Sequence, residues 1–121
     1  MTKRIITVED STSLREMISF TLSEAGYEVA QAEDGQDALD KLTEFKADLV
    51  ITDLNMPKMN GIELTSSLRA NQMYRFIPII FLTTESQLQK KQAAKEAGAT
   101  GWIVKPFKPD QLLQVVRKVL G

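Results

Sequence analysis

The chain has 121 residues, 43% of them hydrophobic and 26% charged, with 15 basic and 16 acidic residues and a formal net charge of −1. That balance fits one globular domain of ordinary size and excludes a disordered or fibrous chain. It also argues against a nucleic-acid binder carried by bulk charge and against a polybasic membrane anchor. With no cysteine and no histidine, disulfide scaffolds, thiol nucleophiles, cysteine or His₃ zinc sites, Ser–His–Asp triads and histidine phosphocarriers are ruled out.

No apolar run approaches the roughly 20 residues that span a bilayer. The opening Met1-Thr2-Lys3-Arg4, followed by Ile5-Ile6-Thr7-Val8, holds too short an apolar stretch for a signal peptide. A cytoplasmic protein is expected.

Short apolar runs alternate with amphipathic stretches along the chain. The first run, 5–8, is nearly continuous in large or β-branched residues, as a strand buried on both faces of a parallel sheet requires. A helix follows, opening at Ser13-Leu14-Arg15-Glu16 as a capping box. It continues through Leu14, Ile18, Leu22 and Ala25 and stops at Gly26. The run 27–32 alternates more and is placed at a sheet edge. A second helix is read over about 35–45, with Ala38, Leu39, Leu42 and Phe45 on one stripe.

After the strand 49–52 comes a helix over about 61–70, and after the strand 79–83 one over about 87–97. The latter has Ala93, Ala94 and Ala97 on its inner side and Gly98 at its end. The strand 102–104 leads to a last helix that starts at Pro109 and buries Leu112, Leu113, Val116, Val119 and Leu120. Five strand–helix units with right-handed crossovers predict an α/β fold: one doubly wound, five-stranded parallel sheet with helices on both faces. The flavodoxin-like order 2-1-3-4-5 suits an edge second strand. A single domain over 1–121 is expected, with no residues left for an effector domain.

In such sheets, sites form beyond the C-terminal strand ends near the switch in strand order. Those ends carry Glu9-Asp10 after the first strand, Asp53 after the third, Thr83-Thr84 after the fourth and Lys105-Pro106 after the fifth. Singly, each has an ordinary explanation: helix capping, turn chemistry, a β-branched strand residue, a solvated strand end. Together they would place three carboxylates in one crevice. Two unit charges ~4 Å apart repel by roughly 4 kcal/mol at an effective dielectric near 20, so the crevice calls for a cation and a lysine. Oxygen ligands with positions open to water and phosphate suit Mg²⁺ or Mn²⁺.

At these residues the chain resembles the receiver domains of two-component response regulators. The motifs are Val8-Glu9-Asp10-Ser11, the run from Asp53-Leu54-Asn55-Met56-Pro57 to Gly61, Leu82-Thr83-Thr84-Glu85, and Gly98-Ala99-Thr100-Gly101-Trp102-Ile103-Val104-Lys105-Pro106-Phe107. The match runs the length of the chain and is closest to the stand-alone chemotaxis, CheY-like type. The 2-1-3-4-5 order is itself a known property of that type, so the resemblance carries it as much as the strand pattern does.

The resemblance implies that Asp53 accepts a phosphoryl group from a histidine kinase. It implies that Asp10, Asp53 and the carbonyl of Asn55 bind Mg²⁺, with Glu9 acting through water. Lys105 would pair with Asp53 and then with the phosphoryl group, Thr83 would turn inward to it, and Trp102 would be the coupled aromatic switch. A cis bond between Lys105 and Pro106 is implied as well. The implied partners are a histidine kinase, the flagellar motor switch protein or another effector, and a phosphatase, acting on a monomer that binds neither nucleic acid nor membrane. Such a protein is a signalling switch that catalyses its own phosphorylation and slow dephosphorylation, not an enzyme of turnover.

Two positions depart from the family pattern: Glu9 where Asp is commoner, and Trp102 where Tyr or Phe is more familiar. Three other readings compete. A haloacid dehalogenase-type phosphatase wants a second Asp two residues after its nucleophile, where this chain has Asn55. A flavodoxin-like cofactor binder would find Glu9-Asp10 repelling its phosphate. A stand-alone phosphorelay receiver with a non-chemotaxis output stays open.

Charge is uneven. Residues 1–84 hold 8 basic and 13 acidic residues, whereas 85–121 hold 7 and 3. The positive set is Lys90, Lys91, Lys95, Lys105, Lys108, Arg117 and Lys118. It is either a solvated face or a docking surface for acidic, partly helical segments.

Overall fold

The computed structural model describes residues 2–56, 58–84 and 90–120. Its elements in chain order are β1 (Arg4–Val8), α1 (Thr12–Glu24), β2 (Glu28–Ala32), α2 (Gly35–Lys41), β3 (Leu49–Asp53), α3 (Gly61–Arg69), β4 (Ile79–Thr83), α4 (Lys91–Ala97), β5 (Gly101–Val104) and α5 (Pro109–Leu120). The strands form one parallel sheet in the order β2-β1-β3-β4-β5, as expected, with β2 at an edge.

Successive side chains of a strand point to opposite faces, and this sorts the apolar runs into two cores. Ile6, Val8, Val50, Ile79 and Phe81 face Ala38, Leu42, Leu64, Leu68 and Ala94 of the α2–α3–α4 layer. Ile5, Leu49, Ile51, Ile80 and Leu82 face Ile18, Leu22, Leu112 and Val116 of α1 and α5. Most of these side chains are fully buried, each worth about 1.5–3 kcal/mol of transfer free energy. The sheet is thus a rigid platform whose C-terminal rim positions the candidate residues.

Several local expectations need correction. The cap of α1 is Ser11, not Ser13. Ser11 is extended (φ −77°, ψ 115°), and its hydroxyl accepts from Leu14 N. Ser13 lies inside the helix, because the Ser11 amide is already held by Glu9 Oε2 at 3.0 Å, which starts the helix earlier.

Helix α2 ends at Lys41 instead of reaching Phe45. The Thr43 hydroxyl takes the Asp40 carbonyl, and the Tyr74 hydroxyl donates to the Leu42 carbonyl. Phe45 still packs against the same core. In α4, Ala94 is buried and Ala97 half-buried, but Ala93 is exposed. A seven-residue helix laid on the sheet edge buries too narrow a stripe to include it. Residues 87–89 lie outside the described residues. In α5, Leu112 and Val116 are buried, while Leu113, Val119 and Leu120 are half-covered. Gly26 and Gly98 end α1 and α4 with positive φ of 98° and 112°, as C-terminal glycines do.

Candidate functional site

The acidic residues converge because β1 and β3 are neighbours, paired from Ile5–Leu49 to Val8–Thr52. Glu9 and Asp10 leave the end of β1, and Asp53 closes β3. One carboxylate oxygen from each of Glu9, Asp10 and Asp53 lies within 4.8 Å of the other two. Glu9 and Asp53 are buried and Asp10 is exposed at the mouth.

From the end of β5, Lys105 reaches across β4. Its Nζ is 2.9 Å from Glu9 Oε1 and 3.2 Å from Asp53 Oδ1. The Lys105–Pro106 bond is cis, as the resemblance implied, and the Lys105 amide donates to the Thr83 carbonyl at 2.6 Å.

Both oxygens of Glu9 are engaged, Oε1 by Lys105 and Oε2 by the Ser11 amide. Asp53 Oδ1 also accepts from the Leu54 amide at 2.9 Å. Burial pushes the Glu9 carboxyl above its ordinary range, against the hydrogen bonds from Ser11 and Lys105. Burial likewise raises Asp53, opposed by the Lys105 charge. For Lys105, burial alone would lower the pKa. The hydrogen bond to Glu9 and the charges of Asp53 and Glu9 overcome it, and the net direction is up.

Three carboxylates facing one ammonium leave an excess of negative charge. An all-oxygen donor set with an open side is the chemistry of a hard divalent cation, so the residues present fit Mg²⁺ or Mn²⁺. Asn55 is exposed two residues beyond Asp53, and its side-chain oxygen accepts from Lys90 Nζ at 3.4 Å.

Thr83 ends β4 and is buried. Among the described residues its hydroxyl has no hydrogen-bond partner. It lines a small hollow with Leu54, Phe81, Lys90, Lys91, Ala94 and Trp102. Trp102 is half-buried on β5, opposite Phe81 in register. The hollow measures about 10 Å³, enough for one water at most. An indole fits there only if Thr83 or α4 yields.

Three supporting residues were not foreseen from the sequence. Arg15 Nη1 donates to the Glu9 carbonyl at 2.6 Å and holds the β1–α1 loop. Its signal was a first-turn arginine aimed back at the acidic pair. Gly61 sits so close to β3 that a Cβ there would lie 2.5 Å from the Asp53 carbonyl oxygen. Lys58 (φ 67°) places its ammonium 3.9 Å from the buried Asp34, tying the β3–α3 loop to the cap of α2.

Comparison with known proteins gives a consistent picture. Residues 5–117 match the family described as response regulator receiver domain. The chain is 43% identical over 121 residues to the chemotaxis protein CheY1 of Helicobacter pylori, covering 98% of this chain and 97% of that protein. A solved structure of the chemotaxis response regulator CheY4 of Vibrio cholerae superposes with a TM-score of 0.93 at 46% identity, covering 98% of this chain and 99% of that one. The receiver domain of the sensor histidine kinase PA1611 of Pseudomonas aeruginosa superposes with a TM-score of 0.90 at 27% identity over 100% and 99% of the two chains. That structure holds a magnesium ion coordinated in its active-site cleft.

Proposed function

The chain belongs to the response regulator receiver family, in its CheY-like chemotaxis type, and from that premise we propose that it is a phosphoryl-accepting switch whose acceptor is Asp53. Residues 1–121 form one receiver domain on this reading. The observation that carries it is the Lys105 ammonium seated between Glu9 and Asp53, with Asp10 beside them.

A carboxylate is a competent nucleophile toward phosphorus. An Asp53 oxygen attacks the phosphohistidine of a histidine kinase. The new P–O bond forms as the P–N bond breaks, and the imidazole leaves with the electron pair and takes a proton from solvent. Such transfer depends on positioning and neutralisation more than on a proton shuttle.

Asp10, Asp53 and the Asn55 carbonyl would hold a Mg²⁺, with Glu9 behind them through water. Such an ion would supply positive charge to the phosphoryl oxygens. Lys105, 3.2 Å from Asp53 Oδ1, shifts onto the phosphoryl group and neutralises its oxygens as well. Asn55 stands where a phosphatase would keep its second Asp, so the phosphoryl group persists as a signal. The new acceptor oxygens draw inward the Thr83 hydroxyl, which has no hydrogen-bond partner among the described residues, and Trp102 follows.

The partners on this reading are a histidine kinase and the flagellar motor switch protein, with a phosphatase ending the signal in the cytoplasm. The protein acts as a monomer. Among the described residues no helix is long and apolar enough to cross a membrane. The lysine-rich α4–β5–α5 face, Lys90 and Lys91 at its head, receives an acidic, partly helical segment of the effector. A phosphorelay receiver with another output uses the same site and differs only in that partner.

The test is incubation with Mg²⁺ and a small phosphodonor. Wild type takes up one acid-stable, base-labile phosphate, chelation of the metal abolishes uptake, and Asp53→Asn takes up none. Normal labelling of Asp53→Asn refutes the proposal.

A further inference from the structure

Helix α4 begins in a way that local physics disfavours. Its cap is Lys90, which makes no side-chain capping bond. Lys91 is its first residue, and its first turn holds no acidic residue. Two cations at the positive end of a helix dipole are placed against it, and lysine is a poor N-cap. Both lysines have tertiary contacts instead. Lys90 Nζ reaches Asn55 Oδ1 at 3.4 Å, and Lys91 Nζ stands 4.2 Å from the centre of the Trp102 ring, within the distance for a cation–π contact. The hollow that Lys91, Ala94 and Trp102 line together with Thr83 is too small at about 10 Å³ to admit an indole.

We propose that Lys91 is a positioning residue that biases Trp102 toward its outward, half-buried place and so couples the indole to the first turn of α4. This deepens the switch reading of Thr83 and Trp102 and rests on it. A contact of this kind at an exposed site biases the outward state by about two- to fivefold. That is strong enough to set a resting population and weak enough for phosphorylation to overturn.

Trp102 is the sole tryptophan, so 5-fluorotryptophan labelling gives one fluorine NMR resonance that reads its surroundings. The comparison uses wild type, Lys91→Met and Lys91→Arg, each with and without Mg²⁺ and beryllofluoride. Without beryllofluoride, Lys91→Met moves the resonance toward the position wild type takes with it, whereas Lys91→Arg, which keeps the cation, stays with wild type. A Lys91→Met resonance coincident with wild type, or a Lys91→Arg resonance that follows Lys91→Met, overturns the proposal. A wild-type resonance that ignores beryllofluoride overturns it separately, by removing Trp102 from the switch.

Discussion

Lys105 and Glu9, ninety-six positions apart in sequence, meet as an ammonium and a buried carboxylate 2.9 Å apart. The extra methylene of Glu9 over the commoner Asp lets this carboxylate reach the lysine that also touches Asp53. Glu9 therefore serves first as a counter-ion for Lys105, with both its oxygens occupied, and approaches a cation only from behind them.

Lys105→Ala removes both ion pairs at once and leaves Glu9 and Asp53 buried without compensation. The metal-free variant should lose about 1–3 kcal/mol, less than a fully buried pair would cost because Lys105 keeps some solvent. Mg²⁺ should restore much of that loss, and metal binding should survive while signalling fails. Urea unfolding with and without Mg²⁺ checks this. A metal-free stability equal to wild type would contradict it.

The pH dependence has a definite sign. Glu9 and Asp53 both have raised pKa values. Their contribution to stability is thus fully present below the unfolded values of 4.5 and 3.8 and is lost as pH rises through the higher folded ones. Lys105 is also raised from 10.5, so its contribution persists until strongly alkaline pH. Asp53→Asn should therefore stabilise the metal-free protein at neutral pH by about 1 kcal/mol, several degrees in Tm. The gain should shrink on acidification toward pH 4. Thermal unfolding in chelator across that range is the measurement.

Thr83 carries a buried hydroxyl with no partner among the described residues, and such a group costs about 1–3 kcal/mol. Thr83→Val keeps the shape and removes the cost, so the resting protein should gain about 1 kcal/mol. Phosphate uptake should be retained, and the response of Trp102 and of the effector should be lost. Denaturation midpoints and effector binding, measured on the same samples, decide the matter.

Gly61 packs against the Asp53 carbonyl and donates its amide to Leu54 O at 2.9 Å. Gly61→Ala forces the end of β3 or the start of α3 to move, at a cost of about 1–3 kcal/mol. Phosphate uptake should fall in the folded fraction as well, because the displaced backbone is that of the acceptor. Uptake per folded molecule equal to wild type would mean that Gly61 serves packing alone.

A parallel sheet covered on both faces was legible because the apolar runs are nearly unbroken, whereas its strand order came as much with the family resemblance as with the strand pattern. The site was legible because chemistry collects at strand ends, and the order of the strands brings Glu9, Asp10, Asp53 and Lys105 together. What escaped depended on contacts between distant residues. Ser13 has the spacing of a capping box, but Ser11 wins through its bond to Glu9. Phe45 keeps the α2 stripe, but Tyr74, twenty-nine residues away, takes its turn's carbonyls. Ala93 and Ala94 are alike in composition, and only the angle of α4 on the sheet tells them apart. The charge of Lys91 was visible, but its seat over Trp102 was not.

Chemical trapping identifies the residue that carries the phosphoryl group. Borohydride reduces an aspartyl phosphate to homoserine, and peptide mass spectrometry of the Mg²⁺- and phosphodonor-treated protein locates it. Homoserine is expected at position 53 and at no other acidic residue. An unmodified Asp53 in protein that has taken up phosphate would contradict Asp53 as the acceptor.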